Sequence, residues 1–179
     1  LVQKASKTVI VTHMKPDGDA MGSSVAMYHY LCTFTSAGAK IVLNDPCPPY
    51  LQFLTEGIPA SDLIIRQEKP VEAETAVRDS DLLFCLDFNA FHRADKLEDA
   101  LKESKADKIL IDHHLNPDRE CFDLSFSETD ISSASELTYQ ILMETGRIAH
   151  DASMLPAASA TALMTGMTTD TNNFANSTY

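Results

Sequence analysis

TVIVTHMKPDGDAMGSS, residues 8–24, changes character twice along its length. Thr8–Thr12 is a short β-branched run of strand composition. It stops at His13-Met14-Lys15-Pro16-Asp17-Gly18-Asp19, where Pro16 and Gly18 punctuate a turn. An apolar-periodic segment follows at once, and either Asp17 or Asp19 is suited to cap a helix there. The stretch therefore reads strand, loop, helix. A helix start needs one carboxylate, so a second one together with His13 is more than capping explains.

The same alternation continues outward from this stretch. Ala20–Ala37 predicts a helix with Met21, Val25, Met27, Tyr28, Leu31, Cys32 and Phe34 on a broad apolar face and Gly38 as its terminal cap. Lys40–Leu43 predicts a second strand, and Asn44-Asp45-Pro46-Cys47-Pro48-Pro49 forces a turn. Tyr50–Thr55 reads as a helical turn or two, Leu63–Arg66 as an edge strand and Val71–Arg78 as a helix. Asp81–Asp87 (DLLFCLD) and Lys108–Asp112 (KILID) are continuous apolar runs of strand length, each ending in an acid. Such runs suit a parallel sheet buried on both faces. Ala94–Ser104 lies between them as a helix, Asp123–Ser127 as a further short strand follows, and Ala134–Thr145 and Met154–Met167 are the last helices. The whole predicts an α/β fold: a doubly wound, mainly parallel sheet with helices on both faces.

Composition narrows the function classes. The 179 residues are 44% hydrophobic, enough for one domain with a real core. Fourteen Lys and Arg against 26 Asp and Glu leave a formal charge of −12, which disfavours a long duplex nucleic acid as partner. Cys32, Cys47, Cys85 and Cys121 form no CxxC pair; they read as core residues of a reduced, cytoplasmic protein rather than as ligands. No run approaches the ~18 apolar residues of a membrane span. Starting at Leu1 and ending at Tyr179, the chain reads as a piece of a longer protein.

In doubly wound sheets ligands bind beyond the carboxyl ends of the strands. His13 to Asp19, Asp87 and Asp112 to His114 all fall at predicted strand ends, and Asp170 joins them from the end of the last helix. Each has an ordinary explanation by itself: a helix cap for Asp17 or Asp19, a turn former for Asp87, a satisfied histidine for His13. Their convergence on one edge favours a site of imidazole and carboxylate ligands, suited to Mn²⁺, Co²⁺, Fe²⁺ or Mg²⁺. There are too many ligands for one ion, whereas two ions ~3.5–4 Å apart and sharing a bridging carboxylate would use them. The Gly18/Gly22 pair fits neither nucleotide-loop spacing. Gly18 is read as letting its flanking carboxylates turn inward, and Gly22 as letting the helix close on the sheet.

HMKPDGDAMGS (13–23), LDFNAFHRAD (86–95), LIDHHLNPD (110–118) and GMTTDTNNF (166–174) resemble, in order, the four motifs of the DHH phosphoesterase superfamily. Within it the chain is most similar to the branch of nanoRNases, 3′-phosphoadenosine-5′-phosphate phosphatases and exopolyphosphatase-related proteins. The resemblance implies that His13 and Asp17 hold a first metal, Asp19, His113 and Asp170 a second, and that Asp87 bridges. It implies that His114 donates to the substrate phosphate, that Asp112 orients the neighbouring histidine, and that Arg93 either contacts phosphate or makes a structural salt bridge. It also implies a glycine after Thr171, where Asn172-Asn173 stand, and a second domain, DHHA1, absent from these residues; 1–179 is then the metal-binding domain alone.

The activity so implied is that of a two-metal phosphoesterase, with two Mn²⁺ ions, or Mg²⁺ or Co²⁺, activating hydroxide. Its substrates are short nucleotides: oligoribonucleotides, linear dinucleotides or adenosine 3′,5′-bisphosphate, as in exoribonucleases and bisphosphate nucleotidases. Membrane partners are not expected, and a homodimer is left open. Two alternatives stand beside this reading: hydrolysis of inorganic polyphosphate or pyrophosphate, and a non-catalytic, metal-stabilised ligand-sensing domain.

Overall fold

A computed structural model describes residues 1–175. Six strands, β1 (Thr8–Thr12), β2 (Lys40–Leu43), β3 (Leu63–Ile65), β4 (Leu82–Leu86), β5 (Asp107–Asp112) and β6 (Leu124–Ser127), form one sheet in the order β3-β2-β1-β4-β5-β6. Every pairing is parallel. Helices α1 (Gly18–Phe34), α2 (Pro70–Arg78), α3 (Glu98–Glu103), α4 (Ala134–Met143) and α5 (Ala157–Asp170) supply the crossovers and the outer layers.

Strand side chains alternate between two cores, which is why the runs look uniformly apolar in sequence. Ile10, Ile41, Phe84, Leu86, Ile109 and Ile111 pack with α1, α4 and α5 on one face. Val9, Val11, Val42, Leu83, Cys85 and Leu110 pack with α2 and α3 on the other. The chain winds from β1 through α1 to β2 over the first face, and from β4 through α3 to β5 over the second. The connections thus diverge between the neighbouring strands β1 and β4, opening a crevice above their carboxyl ends.

Helix boundaries depart from the sequence reading where side chains and distant backbone intervene. α1 begins at Gly18, before Ala20, because the Asp17 carboxylate accepts the Asp19 and Ala20 N–H groups and starts the helix itself. It ends at Phe34, with extended Thr35 returning its hydroxyl to the Leu31 carbonyl, so Gly38 (φ +65°) belongs to the turn before β2. Ala94–Ser104 is not one helix: a 3₁₀ segment over 91–97, itself interrupted at Asp95 (φ +50°), precedes α3. The Arg93 carbonyl instead accepts the Met14 N–H at 2.8 Å, tying this segment to the loop after β1. α4 stops at Met143, with Glu144 as its cap. α5 starts at Ala157, because Pro156 can flank a helix start but not lie inside it. Of the cysteines only Cys85 is core; Cys32 is exposed, Cys47 and Cys121 are half-buried, and all four are free thiols.

The glycines of α1 serve helix packing and not the sheet. A Cβ on Gly22 would stand 2.6 Å from the Ala162 carbonyl oxygen of α5 and 2.9 Å from Ser135 Oγ of α4. A Cβ on Gly18, whose φ is not positive, would overlap the Thr169 side chain beside Asp170. The helix pair α1–α5 therefore sits backbone to backbone, and this brings Asp170 over the crevice. Gly22→Ala is expected to destabilise the metal-free protein by about 1–3 kcal/mol, since the obstructing atom belongs to rigid backbone. Denaturant unfolding monitored by circular dichroism measures this, and an unchanged midpoint would remove the close-packing role.

No helix among the described residues is long and apolar enough to cross a membrane.

Candidate metal centre

The loop after β1 contributes His13 and Asp17, the first turn of α1 Asp19, the end of β4 Asp87, the end of β5 Asp112, His113 and His114, and the end of α5 Asp170. Each position follows from local structure. Asp87 directly follows β4 in the left-handed region (φ +63°), a conformation that Asp and Asn tolerate better than most residues, and it turns its carboxylate into the crevice. After Asp170 the backbone is again left-handed at Asn172 and Asn173 (φ +50° and +60°). Asparagine is suited to that geometry, so the missing glycine leaves the loop shape attainable.

These side chains form two groups on either side of Asp87. His13 Nε2 stands 3.4 Å from Asp87 Oδ2 and 3.8 Å from Asp17 Oδ1. His113 Nε2 stands 3.6 Å from Asp87 Oδ1, 3.7 Å from Asp19 Oδ2 and 3.5 Å from Asp170 Oδ2. His13-Asp17-Asp87 and Asp19-His113-Asp170 are each compact enough to hold an ion, as is Asp87-His113-His114. All six residues expected as metal ligands are thus brought together.

A divalent cation fits the donor set. Most of these separations are too long for hydrogen bonds. They are close to the spacing of two ligands that each lie about 2.1 Å from a common ion. Asp87 Oδ1 is buried with no hydrogen-bond partner, an arrangement that is costly unless a cation satisfies it. The His13 Nδ1–H donates to the Met14 carbonyl at 2.8 Å, which leaves the Nε2 lone pair directed at the carboxylates.

The electrostatics point the same way. Burial, then the neighbouring Asp19 charge, pushes the Asp87 carboxyl up to about 8. Burial likewise raises Asp19 to about 6, against the hydrogen bonds it accepts from Ser135. Burial opposes a charge on His13, but the facing Asp17 and Asp87 carboxylates outweigh it and lift its pKa to about 10. Only Asp17 is lowered, to about 2: burial resists, and His13 with the backbone N–H groups of Ala20 and Asp19 prevails. Protons here stand in for missing positive charge.

Beside the two groups, Asp112 is fully buried and accepts from His114 twice: Oδ1 from the ring Nδ1 at 2.7 Å, Oδ2 from the backbone N–H at 3.2 Å. This raises the His114 pKa and leaves its Nε2 facing outward, with the ring 35% exposed. Asp112 therefore orients His114, the second histidine of the pair. Arg93 lies near enough to oppose protonation of His114 and makes no salt bridge among the described residues, so the structural ion pair is not formed. Sequence reasoning missed the backbone of Ala134 and Ser135, which bonds both oxygens of Asp19. The Ser132-Ser133-Ala134-Ser135-Glu136 pattern marks a capped helix start, but nothing in it names a carboxylate from another helix.

Comparison with known proteins agrees with this architecture. The chain is 30% identical over 179 residues to the cyclic-di-AMP phosphodiesterase GdpP of Geobacillus thermodenitrificans, aligning 97% of this chain and 26% of that protein. The crystal structure of an exopolyphosphatase-related protein from Bacteroides fragilis matches with a TM-score of 0.86 and 33% identity, over 96% of this chain and 48% of that one. The chain therefore spans about a quarter of the length of the first relative and about half of the second. Residues 7–167 match the DHH family, N-terminal domain. With its four motifs converging on the crevice between β1 and β4, the chain belongs to the DHH family.

Proposed function

We propose that the complete protein is a two-metal phosphoesterase that hydrolyses short nucleotides: oligoribonucleotides of a few residues, linear dinucleotides or adenosine 3′,5′-bisphosphate. The observation that carries this is Asp87, whose two oxygens face His13 on one side and His113 on the other. That is the arrangement required of a carboxylate shared by two ions. His13 and Asp17 would complete one position, and Asp19, His113 and Asp170 the other. Mn²⁺ suits this mixture of imidazole and carboxylate, with Mg²⁺ and Co²⁺ as substitutes.

Two bound cations would supply a water of lowered pKa and neutralise charge on the phosphoryl group. The protein residues do the rest. His114 presents Nε2 to a phosphoryl oxygen and donates a hydrogen bond that strengthens as charge accumulates there. Asp112, by accepting the Nδ1–H, favours the doubly protonated ring whose Nε2–H makes that donation, and it fixes the direction of the donor. Arg93, without a salt-bridge partner among the described residues, is available for a second phosphate oxygen. No side-chain nucleophile is required. The base and the distal phosphate are assigned to a DHHA1 domain outside this chain.

Small substrates fit the net charge of −12 better than a long polyanion does. One similar protein is named a cyclic-di-AMP phosphodiesterase, which supports a dinucleotide-sized ligand. The other is named exopolyphosphatase-related, so polyphosphate is the second reading. A panel run on the complete protein with Mn²⁺ decides between them. It compares mononucleotide release from two- to five-residue RNA and linear diadenylate with phosphate release from pyrophosphate and tripolyphosphate. A kcat/KM at least about 100-fold higher for the nucleotides, roughly 2.7 kcal/mol of discrimination, is expected. The reverse ranking would transfer the assignment to polyphosphate.

A further inference from the structure

Both oxygens of Asp19 are engaged by α4. Oδ2 accepts the Ala134 N–H at 2.6 Å and Oδ1 accepts the Ser135 N–H at 2.8 Å, while the Ser135 hydroxyl donates to the Asp19 carbonyl at 3.4 Å. These are the first two amides of α4, which have no intrahelical acceptor, and the positive end of the helix dipole adds to their pull on a carboxylate. Their own placement is fixed by side chains at the start of the helix. Ser133 Oγ accepts the Glu136 N–H at 3.0 Å, and the Glu136 carboxylate accepts both the N–H and the hydroxyl of Ser132. Gly166 of α5 closes over the arrangement: a Cβ there would stand 2.9 Å from Asp19 Oδ1 and overlap the Ser135 side chain.

Asp19 and Asp87 are thereby distinguished although both are buried. Asp87 Oδ1 carries no hydrogen bond and can be shared. Asp19 has already given each oxygen to an amide, and a carboxylate offers about four lone-pair positions in all. What remains directed at the crevice is Oδ2, 3.7 Å from His113 Nε2. We propose that the first turn of α4, residues 133–136, with Gly166 seated against it, positions Asp19 as a single-oxygen ligand of the His113–Asp170 ion. The affinity of that second ion is then set by α4, which contributes no ligand. This role rests on the two-ion reading above.

Three substitutions in the complete protein test it. Ala134→Pro deletes one of the two amides; proline is tolerated at the first helical position, and Ser133 (φ −168°, ψ 159°) already has the extended backbone required before proline. Ser133→Ala removes the cap and loosens the turn. Ser159→Ala serves as comparison, because Ser159 Oγ bonds the Ala26 carbonyl at 2.8 Å in the same α1–α5 interface without touching Asp19. Mn²⁺ is titrated by calorimetry into each metal-free protein, and electron paramagnetic resonance reports whether the ions form a coupled pair.

Wild type and Ser159→Ala are expected to bind two coupled ions. Ala134→Pro is expected to bind one with unchanged affinity and the other about 100-fold more weakly, with a spectrum of isolated Mn²⁺. Ser133→Ala is expected to weaken the second ion about three- to tenfold, and it decides the matter if Ala134→Pro does not fold by circular dichroism. Folded variants that keep two ions at wild-type affinity overturn the positioning role and leave the two-ion reading intact. Equal weakening of both ions by Ser133→Ala also overturns it, since general loosening would then explain the loss. A wild type that binds a single ion overturns the two-ion reading and this role together.

Discussion

Asp87→Asn in the complete protein is expected to lower Mn²⁺-dependent hydrolysis of short nucleotides by at least about 10³-fold, the upper end of losses seen when one preorganised charge-stabilising group is removed. Asparagine is the informative replacement because Asp87 sits at φ +63°, where Asn is accommodated and Ala is strained. Any loss then reflects the missing negative charge and not a displaced loop. The same substitution is expected to stabilise the metal-free protein above pH 8. There the wild-type carboxylate, whose pKa burial has raised to about 8 in spite of the facing His13, must ionise beside Asp19 without a metal ion. Opposite signs for activity and metal-free stability are the signature of a group retained for function. Initial rates with Mn²⁺ and melting curves in chelator measure the two effects. An active Asp87→Asn enzyme would exclude a bridging role for this residue.

The second large effect concerns metal removal and pH. In the metal-free protein burial raises Asp87 to about 8 and Asp19 to about 6. Burial works against charge on His13, but the Asp17 and Asp87 carboxylates hold its pKa at about 10. All three folded-state values lie above the ordinary ones of about 4 for Asp and 6.5 for His. The folded state therefore binds more protons than the unfolded chain, and stability decreases as pH rises through this range. The two aspartates contribute fully only below about pH 4 and lose their contribution by about pH 6 for Asp19 and about pH 8 for Asp87. His13 contributes fully below about pH 6.5 and loses its contribution by about pH 10. Asp17, lowered to about 2, has the opposite slope, confined to the region below about pH 4.

A chelator-treated sample is accordingly expected to melt at progressively lower temperature from pH 5 to pH 9. Two Mn²⁺ ions at a hundredfold excess over Kd contribute about 2.7 kcal/mol each, or roughly 10–20 °C for a domain of this size. The shift should be larger at pH 8 than at pH 5, where protons compete for the same ligands. Scanning fluorimetry across this range, with chelator and with Mn²⁺, gives both slopes. A metal-free melting temperature that rises from pH 5 to pH 8 would contradict the assigned electrostatics.

Much of the fold was determined locally. The continuous apolar runs at β1, β4 and β5 can be satisfied only by burial on both faces, and with helical segments between them this fixes a parallel, doubly wound sheet. The candidate ligands lie at the carboxyl ends of strands, at the start of α1 or at the end of α5, so their convergence on one edge was also legible. Tertiary structure decided what depends on atoms distant in sequence. The helix read over 94–104 breaks at Asp95 because the Met14 amide takes the Arg93 carbonyl. Gly22 faces Ala162 and Ser135 and not the sheet. In the loop after β1, Asp17 is the helix cap. Asp19 is released from that duty and held by amides 115 and 116 residues away. Periodicity records which face of an element is apolar; which oxygen meets which partner is settled only when α1, α4 and α5 pack together.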